Sequence, residues 1–157
     1  MAIRNNVTRL LDQRKIPYAA FELPAEKLGA VEAAQFLGVA AELVYKTIVV
    51  SRETRGKPIL ALVPGTSEVD LKLLAKALGE KKLQLPTQKE AEQITGLQAG
   101  GISPLALLNR GFLVVLDAAA QTHPQIYISA GQRGLNIRLS PTDLVRLTKA
   151  TVYEISR

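Results

Sequence analysis

Lys46 stands between Tyr45 and Thr47 at the head of the apolar run Thr47-Ile48-Val49-Val50. A strand there is largely buried. The lysine must therefore carry its ammonium to the surface along its aliphatic stem or point a cation into a cleft. Downstream, Gly100-Gly101-Ile102-Ser103-Pro104 pairs two glycines with a stiffening proline. Such a loop lets backbone N–H groups approach a carbonyl or phosphate oxygen closely. It lacks the Gly-Lys-Ser/Thr of a nucleotide-triphosphate loop and is not a dinucleotide fingerprint. The third stretch, Ser129-Ala130-Gly131-Gln132-Arg133-Gly134-Leu135-Asn136, offers Arg133 as a phosphate contact and Asn136 as a neutral hydrogen-bonder. For both glycine-containing loops a plain turn stays open as the alternative reading.

Composition removes much of hydrolase chemistry. The 157 residues include no Cys and a single His, His123. Thiolate nucleophiles, disulfides and His- or Cys-rich metal sites are excluded, and a Ser-His-Asp triad hangs on one residue. His123 precedes Pro124 and reads as a solvated turn residue rather than a general base. Asp117 closes an apolar strand and reads equally as a site residue or as the cap of the following turn. No metal and no cofactor is expected.

The elements that must position these residues follow from periodicity and capping. Val7, Leu10 and Leu11 mark a first helix. Tyr18–Leu23 reads as a strand, and Ala30–Leu37 as a helix stopped by Gly38. Val44–Ser51 and Ile59–Val63 read as a hairpin across the polar loop Arg52–Lys57. Asp70 caps a helix presenting Leu71, Leu74, Ala75 and Leu78. Leu83–Leu85 is a short strand, and Thr87-Gln-Lys-Glu90 is a capping box. Phe112–Leu116, Gln125–Ser129 and Asn136–Leu139 are strands, Ser140-Pro141 starts a helix, and Thr151–Ile155 is the last strand. The pattern predicts one α/β domain over residues 1–157, with a mixed, mostly antiparallel sheet flanked by helices. It is not doubly wound.

Charge points to the partner. Twenty Lys and Arg against 14 Asp and Glu give a net charge of +6, which favours an anionic partner, nucleic acid first. Lys72 and Lys76 share a helix face, with Lys81 and Lys82 beyond them. Arg110, Arg133, Arg146 and Lys149 extend that field. A solvated face is the alternative for each. A stripe of this kind fits A-form RNA, which is read by shape and phosphate. With four Tyr, three Phe and no Trp, stacking on long single strands is not expected. The N-terminal residues carry no apolar signal core, and the longest apolar runs fall far short of the roughly 20 residues of a membrane span. A soluble, cytoplasmic protein is the expectation.

Taken together, Val44-Tyr45-Lys46-Thr47-Ile48, Gly100–Leu105, and Ile126–Ser129 with Gly131–Leu135 resemble, in order, the YbaK-like aminoacyl-tRNA deacylases. These are freestanding relatives of the editing domain of bacterial prolyl-tRNA synthetases. Asp70-Leu71-Lys72 and Leu116-Asp117-Ala118 extend the likeness. The resemblance implies a trans-editing hydrolase that cleaves the aminoacyl ester of mischarged tRNA, Cys-tRNA(Pro) or Cys-tRNA(Cys) above all. Catalysis would be substrate-assisted. Lys46 matches the family's essential lysine, and Gly100–Pro104 matches its GxxxP loop. Thr47, Gly100, Gly101, Ile102, Ser103, Pro104, Gly131 and Asn136 are the implied substrate contacts. A pocket aromatic is also implied, for which Tyr18, Phe21 and Leu23 are the N-terminal candidates. Prolyl-tRNA synthetase is the implied protein partner. The alternatives from other classes are a non-catalytic tRNA- or synthetase-binding module and a small-molecule esterase.

Overall fold

The computed structural model describes residues 4–53 and 56–157. Thr54 and Arg55 of the expected polar loop, and residues 1–3, lie outside them. Five helices, α1 (Asn6–Gln13), α2 (Ala30–Leu37), α3 (Leu71–Leu78), α4 (Gln88–Thr95) and α5 (Pro141–Thr148), are described. They are interleaved with strands β1 (Ala19–Glu22), β2 (Tyr45–Arg52), β3 (Ile59–Pro64), β4 (Leu83–Gln84), β5 (Leu113–Asp117), β6 (Ile126–Ser129), β7 (Leu135–Leu139) and β8 (Thr151–Tyr153). The caps stand where the sequence predicts them. Asp70 accepts from the N–H groups of Lys72 and Leu73, Thr87 and Glu90 form a reciprocal box, and Ser140 accepts from Asp143 ahead of Pro141. Each satisfies N–H groups that a helix start leaves unpaired.

The strands form two sheets rather than one. A five-stranded sheet runs β4-β2-β3-β5-β8 and a three-stranded sheet runs β1-β7-β6. The hairpin β2–β3 is antiparallel, with Lys46 opposite Val63, while β3–β5 and β5–β8 are parallel. A parallel bridge from Val44 to Tyr127 links β2 to the smaller sheet.

Alternation along β2 sends side chains to two cores. Tyr45 and Val49 join Leu60, Leu62, Val114 and Leu116 in the main core, which the inward residues Leu135, Ile137 and Leu139 of β7 close from the smaller sheet. Val50 faces the opposite side with Ile59, Val63 and Leu74 of α3. Lys46 shares the parity of Val50, so its stem leaves the sheet on the α3 side. Thr47 leaves on the other. A third cluster packs Ala33 and Ala34 of α2 against Val44 and Tyr127. This seats the start of α2 beside the head of β2.

Candidate functional site

The open edge of β2 builds the site. Val44 O accepts from Gly65 N at 2.7 Å. By the alternation of antiparallel ladders, Lys46 and Ile48 then spend their backbone groups on β3, and Thr47 turns its own toward the other edge. There β4 pairs only with Ser51 and Arg52, so no strand of that sheet covers Thr47. A cavity of about 250 Å³ occupies the gap, lined by Val44–Ile48, by Leu28, Gly29, Ala30 and Ala33 at the start of α2, and by Ala99, Gly100, Ile102, Ser129 and Asn136.

Five of the sequence-predicted contacts meet there: Lys46, Thr47, Gly100, Ile102 and Asn136. Lys46 Nζ lies 3.3 Å from Glu68 Oε1, with the lysine side chain 24 % exposed and the glutamate 74 %. Thr47 Oγ1 is buried without a hydrogen-bond partner, so a ligand can use its full capacity. Asn136 is only 8 % exposed. It stands directly opposite Ser129 in the β6–β7 register, which places both side chains on the cavity face of the smaller sheet.

Other predicted contacts sit elsewhere. Gly101 does not line the cavity: a Cβ there would fall 2.7 Å from Gln132 C and 2.8 Å from Arg133 N. Its N–H is already given to Gln98 O at 2.9 Å. Gly101 is therefore a packing residue between two loops rather than part of the cavity wall. Ser103 is fully buried, its Oγ accepting from Leu105 N at 3.2 Å. Pro104 is buried, and Gly131 faces Ala106 and Val7. These residues shape the loops from behind. Arg133 donates from Nε to Ala99 O at 2.7 Å. Lys72, Lys76, Lys81 and Lys82 line a separate shallow groove along α3 and the approach to β4.

Neither Tyr18, Phe21 nor Leu23 reaches the cavity. Phe21 packs on Tyr127, ring centroids 5.7 Å apart, with the Arg138 guanidinium above it at 5.6 Å. Leu28 takes the apolar wall instead. The signal for that wall was the small-residue run Gly29-Ala30 ahead of Ala33, which lets a helix start approach a strand edge closely. Gly65 completes the fit: a Cβ there would lie 2.5 Å from Ala30 Cβ and 2.9 Å from Val44 O.

Chemically, Lys46 supplies the cavity's cation. Tyr45 turns its phenol into the main core, where the hydroxyl is buried and unpartnered. Burial first, then the nearby Asp117 carboxylate, pushes its pKa well above the ordinary phenol range. Tyr45 therefore stays neutral and is no base. Asp117 is a cap, its carboxylate accepting from Ala119 N at 3.2 Å and from Ile155 N at 2.9 Å. His123 lies in a different groove with Ser140 and Pro141. Among the described residues no group of three His, Cys, Asp or Glu side chains is placed to hold a metal ion, and no helix is long and apolar enough to cross a membrane.

Comparison with known proteins shows the family. Residues 25–147 match the family model of the aminoacyl-tRNA editing domain. The chain is 36 % identical over 155 residues to the "Putative Cys-tRNA(Pro)/Cys-tRNA(Cys) deacylase EbsC" of Enterococcus faecalis, covering 98 % of this chain and 93 % of that protein. It is 30 % identical over 105 residues to a proline–tRNA ligase of Pelobacter propionicus, covering 67 % of this chain and 18 % of the ligase. A solved structure described as a "putative trans-editing enzyme for prolyl tRNA synthetase" superposes with a TM-score of 0.81 at 26 % identity, over 99 % of both chains. With the cavity at the head of β2 and the paired loops that wall it, the chain belongs to the aminoacyl-tRNA editing domain family.

Proposed function

We propose that this protein hydrolyses, in trans, the ester joining a wrongly attached amino acid to the terminal adenosine of tRNA, with cysteinyl-tRNA as its favoured substrate. The observation that carries this reading is the composition of the cavity. Among the described residues one cation, Lys46, meets loop backbone at Gly100 and Ile102 and the polar side chains of Thr47, Ser129 and Asn136, and no thiol, imidazole or carboxylate is among the lining groups. An aminoacyl ester is already activated, so positioning and stabilisation of the developing oxyanion supply most of the required rate. Lys46 offsets negative charge on the ester or the terminal phosphate. With the Gly101 amide committed to Gln98, the loop amides that meet the carbonyl oxygen are those of Gly100 and Ile102.

The attacking group then comes from the substrate or from water. A cysteinyl ester carries its own thiol, which can attack its carbonyl internally. A C–S bond forms as the ester C–O bond breaks, the ribose oxygen leaves with the thiol proton, and water then opens the resulting thiolactone to free cysteine. This fits a site whose Thr47 and Ser129 hydroxyls have no imidazole or carboxylate beside them to activate either as a nucleophile, and the deacylase relative is named for cysteinyl-tRNA. The tRNA approaches along the α3 side of the large sheet, where Lys72, Lys76 and Lys81 contact phosphates. Prolyl-tRNA synthetase is the proposed source of mischarged tRNA, because its relatives carry a similar region within a longer chain.

The test compares hydrolysis of cysteinyl-, seryl- and alanyl-tRNA under identical conditions. Cysteine is expected to be removed fastest. Serine is the informative control, similar in size and far less nucleophilic. Equal cysteine and serine rates would refute the thiol mechanism, and faster alanine removal would assign another substrate. Binding without turnover of any mischarged tRNA would leave a recognition module, and turnover of simple esters without salt-sensitive tRNA binding would leave a small-molecule esterase.

A further inference from the structure

The two glycine-containing loops are locked together carbonyl by carbonyl. Arg133 Nε donates to Ala99 O at 2.7 Å, and Ser129 Oγ donates to Gly100 O at 2.7 Å. Beneath these bonds the backbones touch so closely that a Cβ on Gly101 would collide with Gln132 and Arg133. A trans peptide is planar, with its C=O and N–H antiparallel. Holding Ala99 O toward Arg133 therefore turns the N–H of Gly100 to the opposite side of the same plane. Gly100 is a cavity residue with φ of +90°, a conformation that glycine adopts without steric cost. The next plane obeys the same rule. Its carbonyl is held by Ser129, and its N–H, on Gly101, points away to Gln98 O at 2.9 Å.

We infer that Arg133 is a positioning residue for deacylation: by clamping the Ala99–Gly100 peptide plane, it aims the Gly100 N–H at the ester carbonyl. The inference rests on the proposed ester hydrolysis for its kinetic meaning. It departs from reading Arg133 as a phosphate contact. A guanidinium suits the task because its planar Nε–H gives a directed donor, which a lysine ammonium on a flexible stem does not reproduce.

Arg133→Lys separates the two roles, because it keeps the charge and loses the fixed fork. Arg133→Met removes both. For a positioning residue, kcat on the best mischarged tRNA falls about tenfold in Arg133→Lys and up to about a hundredfold in Arg133→Met, the scale on which one oxyanion donor acts. KM and the salt dependence of tRNA binding stay at wild-type values in Arg133→Lys. The amide resonance of Gly100 in ¹⁵N-labelled protein moves in both variants, and its hydrogen exchange changes. That readout needs no substrate, so it judges Arg133 even if the wild-type protein deacylates no tRNA, the result that would overturn the functional reading instead. Wild-type kcat in Arg133→Lys with an unmoved Gly100 amide overturns the inference. So does a loss confined to KM with a flattened salt slope, which would return Arg133 to phosphate binding.

Discussion

Lys46 reaches Glu68 across 3.3 Å, and Glu68 is itself fixed by paired backbone bonds to Arg157 (3.0 and 2.9 Å). The carboxylate is largely in solvent, so the pair contributes at most about 1 kcal/mol. The lysine's place is set by strand alternation and the β2 edge, not by its partner. Lys46→Ala is expected to lower kcat by about a hundredfold or more, the size of one transition-state electrostatic contact. Glu68→Gln should lower the melting temperature by no more than about 4 °C and alter kcat/KM less than about fivefold, the equivalent of that 1 kcal/mol. Steady-state kinetics on both variants checks the contrast. A large loss in Glu68→Gln would make the carboxylate part of the machinery.

Gly101→Val is expected to act through the fold. Its side chain has no room in front of Gln132 and Arg133, so the two loops must part. Overpacking of this kind costs about 1–3 kcal/mol, or roughly 2–4 °C of melting temperature per kcal/mol for a chain of this size. Activity and stability should fall together. An inactive variant with wild-type melting would instead mean that position 101 faces the ester.

Tyr45→Phe is expected to leave deacylation intact and to stabilise the protein by about 1 kcal/mol, because it removes a buried hydroxyl that has no partner. The effect should grow in alkali. A phenol whose folded pKa is raised gives stability that is complete below its unfolded pKa, near 10, and lost as pH rises toward the folded value. Wild type should therefore lose stability above about pH 10, and Tyr45→Phe should lose less. Melting curves between neutral pH and pH 11 decide this.

Lys72 and Lys76 are exposed on the side of the large sheet from which Lys46 emerges. Replacing both with Gln should weaken tRNA binding and reduce the slope of log affinity against log salt by up to about 2, one for each phosphate no longer neutralised. Binding measured at several salt concentrations provides the test. An unchanged slope would make both lysines plain solvated surface.

The elements were legible because their signals are local. Asp70, Thr87 and Ser140 announce helix starts, and the hairpin declares itself in two apolar runs around a polar loop. Pairing between distant strands leaves no such mark. Nothing near Ile59 or Leu113 encodes that β3 and β5 run parallel, or that β6 and β7 leave to form a second sheet with β1. The site divides along the same line. Lys46, Gly100 and Asn136 stand out by breaking a pattern, whereas Leu28 and Ala33 look like any helix entrance until α2 docks on Val44. Gly101 was legible as a glycine needing space. Which neighbour claimed that space depended on the 129–134 loop folding back upon it.

Gly65 never meets the cavity, yet Ala30 of the cavity wall rests where its side chain would be. The width of the binding site is thus inherited from a turn outside it. A methyl group on that turn would push the entrance of α2 outward and widen the cavity, without changing a single lining residue. The depth of this turn therefore sets the width of the cavity while Lys46 and its neighbouring loops stay untouched.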